Sequence, residues 1–592
     1  MTRARPLFII AFVQKIITAE EMREIDRLTV ERYATPSLLL MEAAAVAVAR
    51  QIASHFSNDL RRKTALVLCG RGNNGGDGAA IARALWRAGA RADVLLFGSV
   101  GETKGDTRVN FDAARRLASF EAGSKERPSL LSFVECDSVS AWEELASARR
   151  SYDVIVDALF GTGLKRPLEG IFRQVVEHLS LLRRARERAG EGVPFFVSVD
   201  VPSGLDADSA EPVGEAVSAD LTVTFTAPKP ANVLPPAAHF NGRLFVAQIG
   251  SPPSLIDAAP SRLFLAEADD ARRWLARTRY APDSYKNTHG HVLVVAGSRH
   301  MTGAAVLSAN AAMRAGAGLV TVATPRSAAA AVAARLMPEV LTAALEETDE
   351  GALTFEAIEE VSKLAERADA LAVGPGLTSA DERTRRFVRA LVEQRTKPLV
   401  IDADGLNSLA PWPDGLKGSK ELPIIITPHA GEMRRLLGDD ARRPDDAQTA
   451  DESAMPEPHA QTSGERLRAD RVGVVRGFAV AHQLHVVLKG TRVLVAAPDG
   501  RVFVNPTGNA GLGRAGSGDT LTGIVVAFNA QAFAALRADA DALEATLAAV
   551  YVGGLAGDLA ARERGMRTLT ASDVREHVGA ALRALDEQGE LP

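Results

Sequence analysis

Only two cysteines, Cys69 and Cys136, occur among the 592 residues, and neither lies in a C-x-x-C pair or near a histidine cluster. That scarcity argues against a disulfide framework and a structural zinc site, and it fits a reducing cytoplasm. Charge imbalance is also lacking. A formal net charge of -5 over this length gives no electrostatic basis for capturing nucleic acid or an anionic membrane. The opening MTRARPLFIIAFVQK sets basic residues before LFIIAFV, a run too short to span a bilayer, and no small-residue cleavage site follows. Residues 1–15 are therefore expected to form a loose N-terminal extension. No G-x-x-x-x-G-K-[ST] stretch is present, which argues against a P-loop nucleotide site. No tandem repeat at solenoid periods is visible either.

What remains is an ordinary globular composition, 46% apolar and 24% charged, on a chain too long for a single core. TAEEMREIDRLTVERY (18–33) reads as a helix with a capping box from Thr18 and Glu21, and an alanine-rich helix covers about 37–56. Apolar runs then alternate with helical patterns: TALVLCG, a helix at about 77–89, ADVLLFG, YDVIVDALFG, PFFVSVDVPSG and LTVTFTAPK. Such runs imply a parallel sheet covered on both faces. The pattern stops over 251–284, read as a linker, and a second series occupies 285–582. That series starts at GHVLVVAGS and ends in a hairpin-like VVLKGTRVLVAAPDGRVFVNPTG. Within it, the polar, proline-bearing stretch 439–470 reads as a flexible insertion, and 583–592 as a tail. The expected fold class is α/β: a Rossmann-like three-layer α/β/α domain over 16–250, then a second α/β domain.

CGRGNNGGDG (69–78) satisfies G-x-G-x-x-G, and its glycines allow close approach of a ligand to the following helix. A hydride-transfer site also needs an acid at the end of the next strand to hold the ribose, yet Phe97, Gly98 and Ser99 stand there. Polar groups do cluster at strand ends: Asn73, Asn74 and Asp77, then Asp157, then Asp200 with Ser203. Singly, each such Asp could be a turn or helix cap. Together they should converge on the crevice beyond the sheet's carboxyl edge. Hard oxygens carrying little negative charge suit an alkali cation better than zinc.

TAEEMREID, GRGNNGGDG, VDALFGTGL and VDVPSGLDAD, in that order, resemble the N-terminal domain of the NAD(P)H-hydrate repair enzymes, the NAD(P)HX epimerase. The resemblance spans about 16–250 and implies a damaged dinucleotide as substrate. It implies substrate contacts from Asn73, Asn74, Gly75, Gly76 and Asp77 and from Gly161, Thr162, Gly163, Leu164, Lys165, Arg166 and Pro167. It also implies potassium at Asn74, Asp157 and Ser203, with Asp200 as the proton-transfer group at the epimerised carbon. Met41-Glu42-Ala43-Ala44-Ala45 stands where the family reads M-E-N-A-G.

AGSGDTLTG (515–523) opens a helix whose exposed N–H groups form an anion site, with Asp519 in its first turn. Alone, that Asp could serve only the helix dipole. As a functional group it would accept the proton of a hydroxyl attacking a phosphoryl group. The stretch resembles the G-A-G-D element of the ribokinase-like superfamily. VVAGS, MRAGAGLVTVAT, VGPGL, DADGLN, TPHAGEM, VLKG and NPTGNAGLGRAGSGDTLTG resemble its ADP/ATP-dependent NAD(P)H-hydrate dehydratase branch over about 285–582. That implies a ribokinase-like fold, nucleotide contacts from Lys489, Gly490, Thr491, Arg492, Val493 and Gly518, and hydrate contacts from Ala304, Gly376, His429 and Asp519. Thr378 stands where the family often has a further glycine after Gly376-Leu377, and the 439–470 stretch comes after the His429 segment.

Taken together, the resemblances imply a bifunctional enzyme for NADHX and NADPHX. One domain would interconvert R and S hydrates. The other would dehydrate the S form by phosphorylation and phosphate loss, with Mg2+ and with ADP, or alternatively ATP, as donor. A cytoplasmic homo-oligomer acting on small molecules, without nucleic acid or membrane, is expected. The competing expectation is a sugar or vitamin kinase fused to a non-catalytic nucleotide-binding module.

Overall fold

The computed structural model describes residues 14–123, 129–147, 151–190, 192–439 and 462–586. Two compact units meet in sequence at Arg262 and Leu263.

In the first unit the apolar runs become β1 (Thr64–Cys69), β2 (Arg91–Phe97), β3 (Leu131–Cys136), β4 (Val154–Ala158), β5 (Phe195–Val199), β6 (Leu221–Phe225) and β7 (Arg243–Ala247). Their order is β3-β2-β1-β4-β5-β6-β7, and every neighbouring pair is parallel. The chain reverses direction across the sheet between β1 and β4, which opens a crevice beyond Cys69 and Ala158. The first helices of the unit are α1 (Ala19–Tyr33), α2 (Ser37–His55) and α3 (Asn73–Arg87), the last following β1 directly. Val48, Ile52, Ile81 and Leu85 pack on one sheet face, and Trp142, Val175, Val176 and Leu179 pack on the other. This is the expected three-layer α/β/α arrangement. The capping box of α1 forms as read, with Glu21 N donating to Thr18 Oγ1 at 3.2 Å and Thr18 N donating to Glu21 Oε2 at 2.8 Å. Helix α3 starts four residues before the expected position, because Gly75 and Gly76 of NNGGDG lie inside its first turn. A Cβ on Gly75 would fall 1.8 Å from the Gly70 carbonyl oxygen, so this tight entry admits only glycine.

The second unit contains β8 (Leu263–Leu265), β9 (His291–Val295), β10 (Leu319–Pro325), β11 (Leu341–Leu345), β12 (Ala370–Val373), β13 (Leu399–Ile401), β14 (Ile424–Ile426), β15 (His485–Leu488), β16 (Leu494–Ala496) and β17 (Val502–Val504). They run in the order β8-β17-β16-β15-β14-β13-β12-β9-β10-β11. Pairing is parallel except on either side of β16, where the expected hairpin forms. The helices of this unit include α4 (Thr302–Arg314), α5 (Ala430–Leu436), α6 (Ser517–Leu536) and α7 (Ala542–Arg564). Stretches Ser37–His55, Ser517–Asp539 and Ala542–Arg564 are long and apolar enough to cross a membrane by length and composition. The residues of α6 and α7 are mostly buried inside the second unit, as helices apolar all round must be in a folded core.

Three expected boundaries differ. The 251–284 stretch read as a linker is structured: Pro253–Ala258 is a helix begun by proline at its first position, and Leu255 is buried with Ile17 and Ile25. Past Arg262, β8 pairs with β17, and the helix Ala268–Arg277 buries Trp274. The stretch is polar overall, and its few apolar residues carry the packing. The 439–470 stretch ends in a capped helix, Ser463–Ala469, while residues 440–461 lie outside the described residues. Helix Ala571–Asp586 runs into the tail expected from 583, and residues 587–592 lie outside the described set, as do 1–13 of the expected N-terminal extension.

Trp274 is 2% exposed and stacks on Phe528 of α6, with ring centroids 4.0 Å apart. Trp274→Ala is expected to destabilise the second unit by about 3–5 kcal/mol. Urea unfolding checks this, and a true linker residue would give no change.

Candidate active sites

Three strand ends of the first unit meet at the crevice. Asn73 Oδ1 accepts from Thr107 Oγ1 at 3.2 Å, while the Asn74 amide Nδ2 is buried without a protein partner. The Asn74 side-chain oxygen lies 3.3 Å from where a Cβ on Gly161 would stand, so the loops after β1 and β4 touch. Asp157, at the end of β4, is 1% exposed and accepts from Ser203 N at 2.8 Å, Ser203 Oγ at 2.5 Å and Ser198 Oγ at 2.9 Å. Burial pushes its carboxyl above the usual range despite these bonds, and no cationic side chain offsets that burial. Ser203 Oγ also accepts from Phe160 N at 2.9 Å, which ties it to the loop after β4. Asn74, Asp157, Gly161 and Ser203 are thus brought together.

Asp200 sits just past β5 at φ 66, a left-handed conformation that costs a non-glycine residue about 1–3 kcal/mol. Its surroundings hold it there. Oδ1 accepts from Lys229 Nζ at 2.5 Å and Thr224 Oγ1 at 2.9 Å, and the Asp200 carbonyl accepts from Asn232 Nδ2 at 3.2 Å. Lys229 is fully buried and gives its remaining protons to Thr224 Oγ1 at 3.0 Å and the Phe225 carbonyl at 3.1 Å. Burial, then the Asp200 and Asp26 carboxylates, push the Asp77 carboxyl well above its ordinary range. The 161–167 loop divides. Gly161 and Thr162 are half-buried, Leu164 packs into the core, and Lys165 pairs with Asp206 at 2.7 Å and Asp208 at 2.6 Å. Gly163, Arg166 and Pro167 are exposed.

In the second unit the sites are joined by an ionic chain. Lys489, just past β15, donates to Asp402 Oδ1 at 2.6 Å, and Thr522 of α6 donates to Asp402 Oδ2 at 2.7 Å. Lys489 Nζ also lies 3.7 Å from Glu432. Glu432 accepts from His429 N at 2.7 Å, and His429 Nδ1 caps α5 by accepting from Gly431 N at 3.0 Å. Burial works against the charge on Asp402, but the Lys489 ammonium and the hydroxyls of Thr522 and Thr427 hold its carboxyl below the usual range. A Cβ on Gly518 would stand 3.2 Å from Lys489 Nζ, which places the α6 N-terminus against the lysine. Asp519, in the first turn of α6, has its carboxyl pushed up to about 6 by burial and by Asp402, with Lys489 opposing. Gly376, at φ 66, faces Ala304 of α4: a Cβ on it would lie 2.9 Å from the Ala304 Cβ. Thr491 accepts from Arg471 Nη1 through its carbonyl at 3.1 Å, and Arg492 donates to the Pro506 carbonyl at 2.6 Å. Gly490 and Val493 complete this loop between β15 and β16.

Sequence reasoning missed Lys229, Asp26, Asp402 and Glu432. Lys229 did leave a signal, as a lone lysine in the apolar FTAPKPANV, and Asp402 stood in DADGLN at a strand end. Asp26 closes the TAEEMREID motif, but a helical Asp reads as solvent-facing.

Two α/β units, each with ionisable groups gathered at the carboxyl ends of its strands, have the arrangement of a two-site enzyme. The NAD(P)H-hydrate dehydratase family model matches residues 292–578, and that of the YjeF-related protein N-terminus matches 37–231. The bifunctional NAD(P)H-hydrate repair enzyme of Moorella thermoacetica is 37% identical over 575 residues, covering 97% of this chain and 98% of that one. That of Thermofilum pendens is 36% identical over 577 residues, with the same coverage. An ADP/ATP-dependent NAD(P)H-hydrate dehydratase from Bacillus subtilis, co-crystallised with ATP/Mg2+, is 26% identical, covers 54% of this chain and 97% of its own, and has a TM-score of 0.43. The chain belongs to the family of bifunctional NAD(P)H-hydrate repair enzymes. Likeness across both units, in relatives of nearly the same length, favours this family over a sugar or vitamin kinase fused to a non-catalytic nucleotide-binding module.

Lys489→Met would leave Asp402 buried and unpaired, and it is expected to destabilise the second unit by about 3–5 kcal/mol. Adding Asp402→Asn should recover part of that loss, which a double-mutant cycle in urea measures.

Proposed function

We propose that the first unit interconverts the R and S hydrates of NADH and NADPH, and that the second dehydrates the S hydrate with ADP as phosphoryl donor. The observation that carries this reading is the half-buried Asp519 at a helix N-terminus beside the Lys489–Asp402 pair. Such a carboxylate accepts the proton of the hydrate's hydroxyl as its oxygen attacks the terminal phosphoryl group. Lys489 and the free N–H groups at the start of α6 stabilise charge as it develops on the transferred oxygens. Loss of phosphate then restores the ring double bond. His429, Ala304 and Gly376 hold the hydrate.

Magnesium, when bound, shields the phosphate oxygens. Among the described residues no group of three or more Asp, Glu, His or Cys side chains forms a metal cage. Magnesium asks for less, one or two carboxylates together with substrate phosphates, which the donor would bring; both oxygens of Asp402 are already engaged by Lys489 and Thr522. In the first unit, Asn74, Asp157 and Ser203 would hold potassium. The donor set is all oxygen, and a buried carboxylate without a cationic side chain favours a monovalent ion. Asp200 then moves the proton at the epimerised carbon.

Repair of a mixed R and S hydrate of NADPH, monitored as regained near-ultraviolet absorbance, tests the whole reading. It is run with ADP, with ATP and with neither. Recovery of both epimers with ADP is expected, recovery with ATP alone would reassign the donor, and recovery with neither would overturn the dehydratase. As a base, Asp519 must be ionised, so kcat/KM for dehydration is expected to rise as pH rises through about 6. Asp519→Asn should remove that limb and lower kcat by roughly 10²–10⁴-fold, leaving R-to-S conversion intact.

A further inference from the structure

Inverting a carbon that bears a hydroxyl, without oxidation, requires a proton to be given and a proton to be taken. Asp200 is one carboxyl at the epimerase crevice, and a second, Asp26, lies close enough to Asp200 and Asp77 to interact with both. Asp26 lies on α1, one residue after Ile25, which packs with Met22, Ala227 and Leu255. That packing brings α1 against the segment carrying Lys229. Asp26 Oδ1 is buried and has no hydrogen-bond partner. The protons of Lys229 go to Asp200, Thr224 and the Phe225 carbonyl, so the lysine attracts Asp26 without bonding it. A carboxyl oxygen withdrawn from water and left without a donor favours its neutral form.

We propose that Asp26 is the second proton-transfer group of the epimerase, working with Asp200 on the ring hydroxyl. The inference rests on the epimerase reading of this unit. In the step, the Asp26 carboxyl gives its proton to the hydroxyl, and the C–O bond breaks with its electron pair leaving as water. The lone pair of the ring nitrogen supports the electron-poor carbon, and the carboxylates around it offset the charge. Water adds to the opposite face, a new C–O bond forms, and the surplus proton passes to Asp200. Exchange with solvent returns both carboxyls to their starting forms, so atoms, electrons and protons balance without any oxidant or reductant.

The charged groups facing Asp26 are Lys229, Asp200 and Asp77. Burial pushes its carboxyl up to about 6, Lys229 opposes, and Asp200 adds to the rise. As the proton donor it must be protonated, so kcat/KM for epimerisation falls as pH rises through about 6.

The test supplies pure R hydrate to the full chain without nucleotide and measures the R:S ratio by chromatography from about pH 5 to 9, on either side of that limb. Asp26→Asn is expected to lower kcat by roughly 10²–10⁴-fold with KM within about threefold, to lose the limb near 6, and to leave dehydration of S hydrate unchanged. Asp26→Glu, which keeps the acid, should restore part of kcat and the limb. A kcat within about threefold of wild type in Asp26→Asn, a loss confined to KM, or a limb that survives the substitution overturns the proposal. So does a fall in which Asp26→Glu is no better than Asp26→Asn, since that marks a structural role. If the unsubstituted chain does not interconvert the epimers at all, the epimerase reading itself fails, and the proposal with it.

Discussion

Lys489 and Asp402 meet at 2.6 Å where Asp402 is 1% exposed, and the second unit is arranged around that contact. Taking a carboxylate out of water costs several kcal/mol, and an opposite charge with good geometry must offset it. Three elements supply the geometry. The end of β13 provides Asp402, the end of β15 provides Lys489, and α6 adds the Thr522 hydroxyl. The same contact fixes where catalytic charge can stand. With Lys489 drawn toward Asp402 and Glu432, its ammonium offsets only part of the push on Asp519, which stays near neutrality. A base in that position keeps its affinity for a proton and is still largely ionised slightly above it.

The first unit meets the same demand incompletely. Lys229 neutralises Asp200 and locks it in a backbone conformation that Asp otherwise avoids. Asp157, Asp26 and Asp77 have no such bonded cation, and the carboxyls of all three rise. A core selected for stability alone would not keep several carboxyls so near one another with so little positive charge. Raised carboxyls gathered in a cleft mark chemistry more often than scaffolding.

Periodicity made the alternation of strand and helix readable, because strands buried on both faces must be apolar throughout and few other elements look that way. It also fixed the crevice, since the ends of parallel strands are where polar residues interrupt those runs. The expected start of α3 falls late because glycine pairs read as loop, although a Cβ on Gly75 would meet the Gly70 carbonyl, so close packing is what demands glycine there. The 251–284 stretch was misread for a related reason. Its composition is that of a linker, while Leu255, Leu263 and Trp274 anchor it to cores distant in sequence. Long-range pairs leave no local pattern, so Lys229 and Asp402 could be seen as odd residues but not as partners.

The electrostatics of the two sites bear on how they act in series. With Asp519 as the proposed base of the second unit and Asp26 as the proposed acid of the first, dehydration needs Asp519 without its proton, while epimerisation needs Asp26 with its proton. Both groups are pushed to about 6, by burial above all, with neighbouring carboxylates adding to the rise. Repair of S hydrate alone is then limited only on the acid side. Repair of R hydrate must pass both steps, so its rate is bounded on the acid side by the second unit and on the alkaline side by the first. As pH rises, control of the pathway moves from dehydration to epimerisation, and R hydrate becomes the form that accumulates.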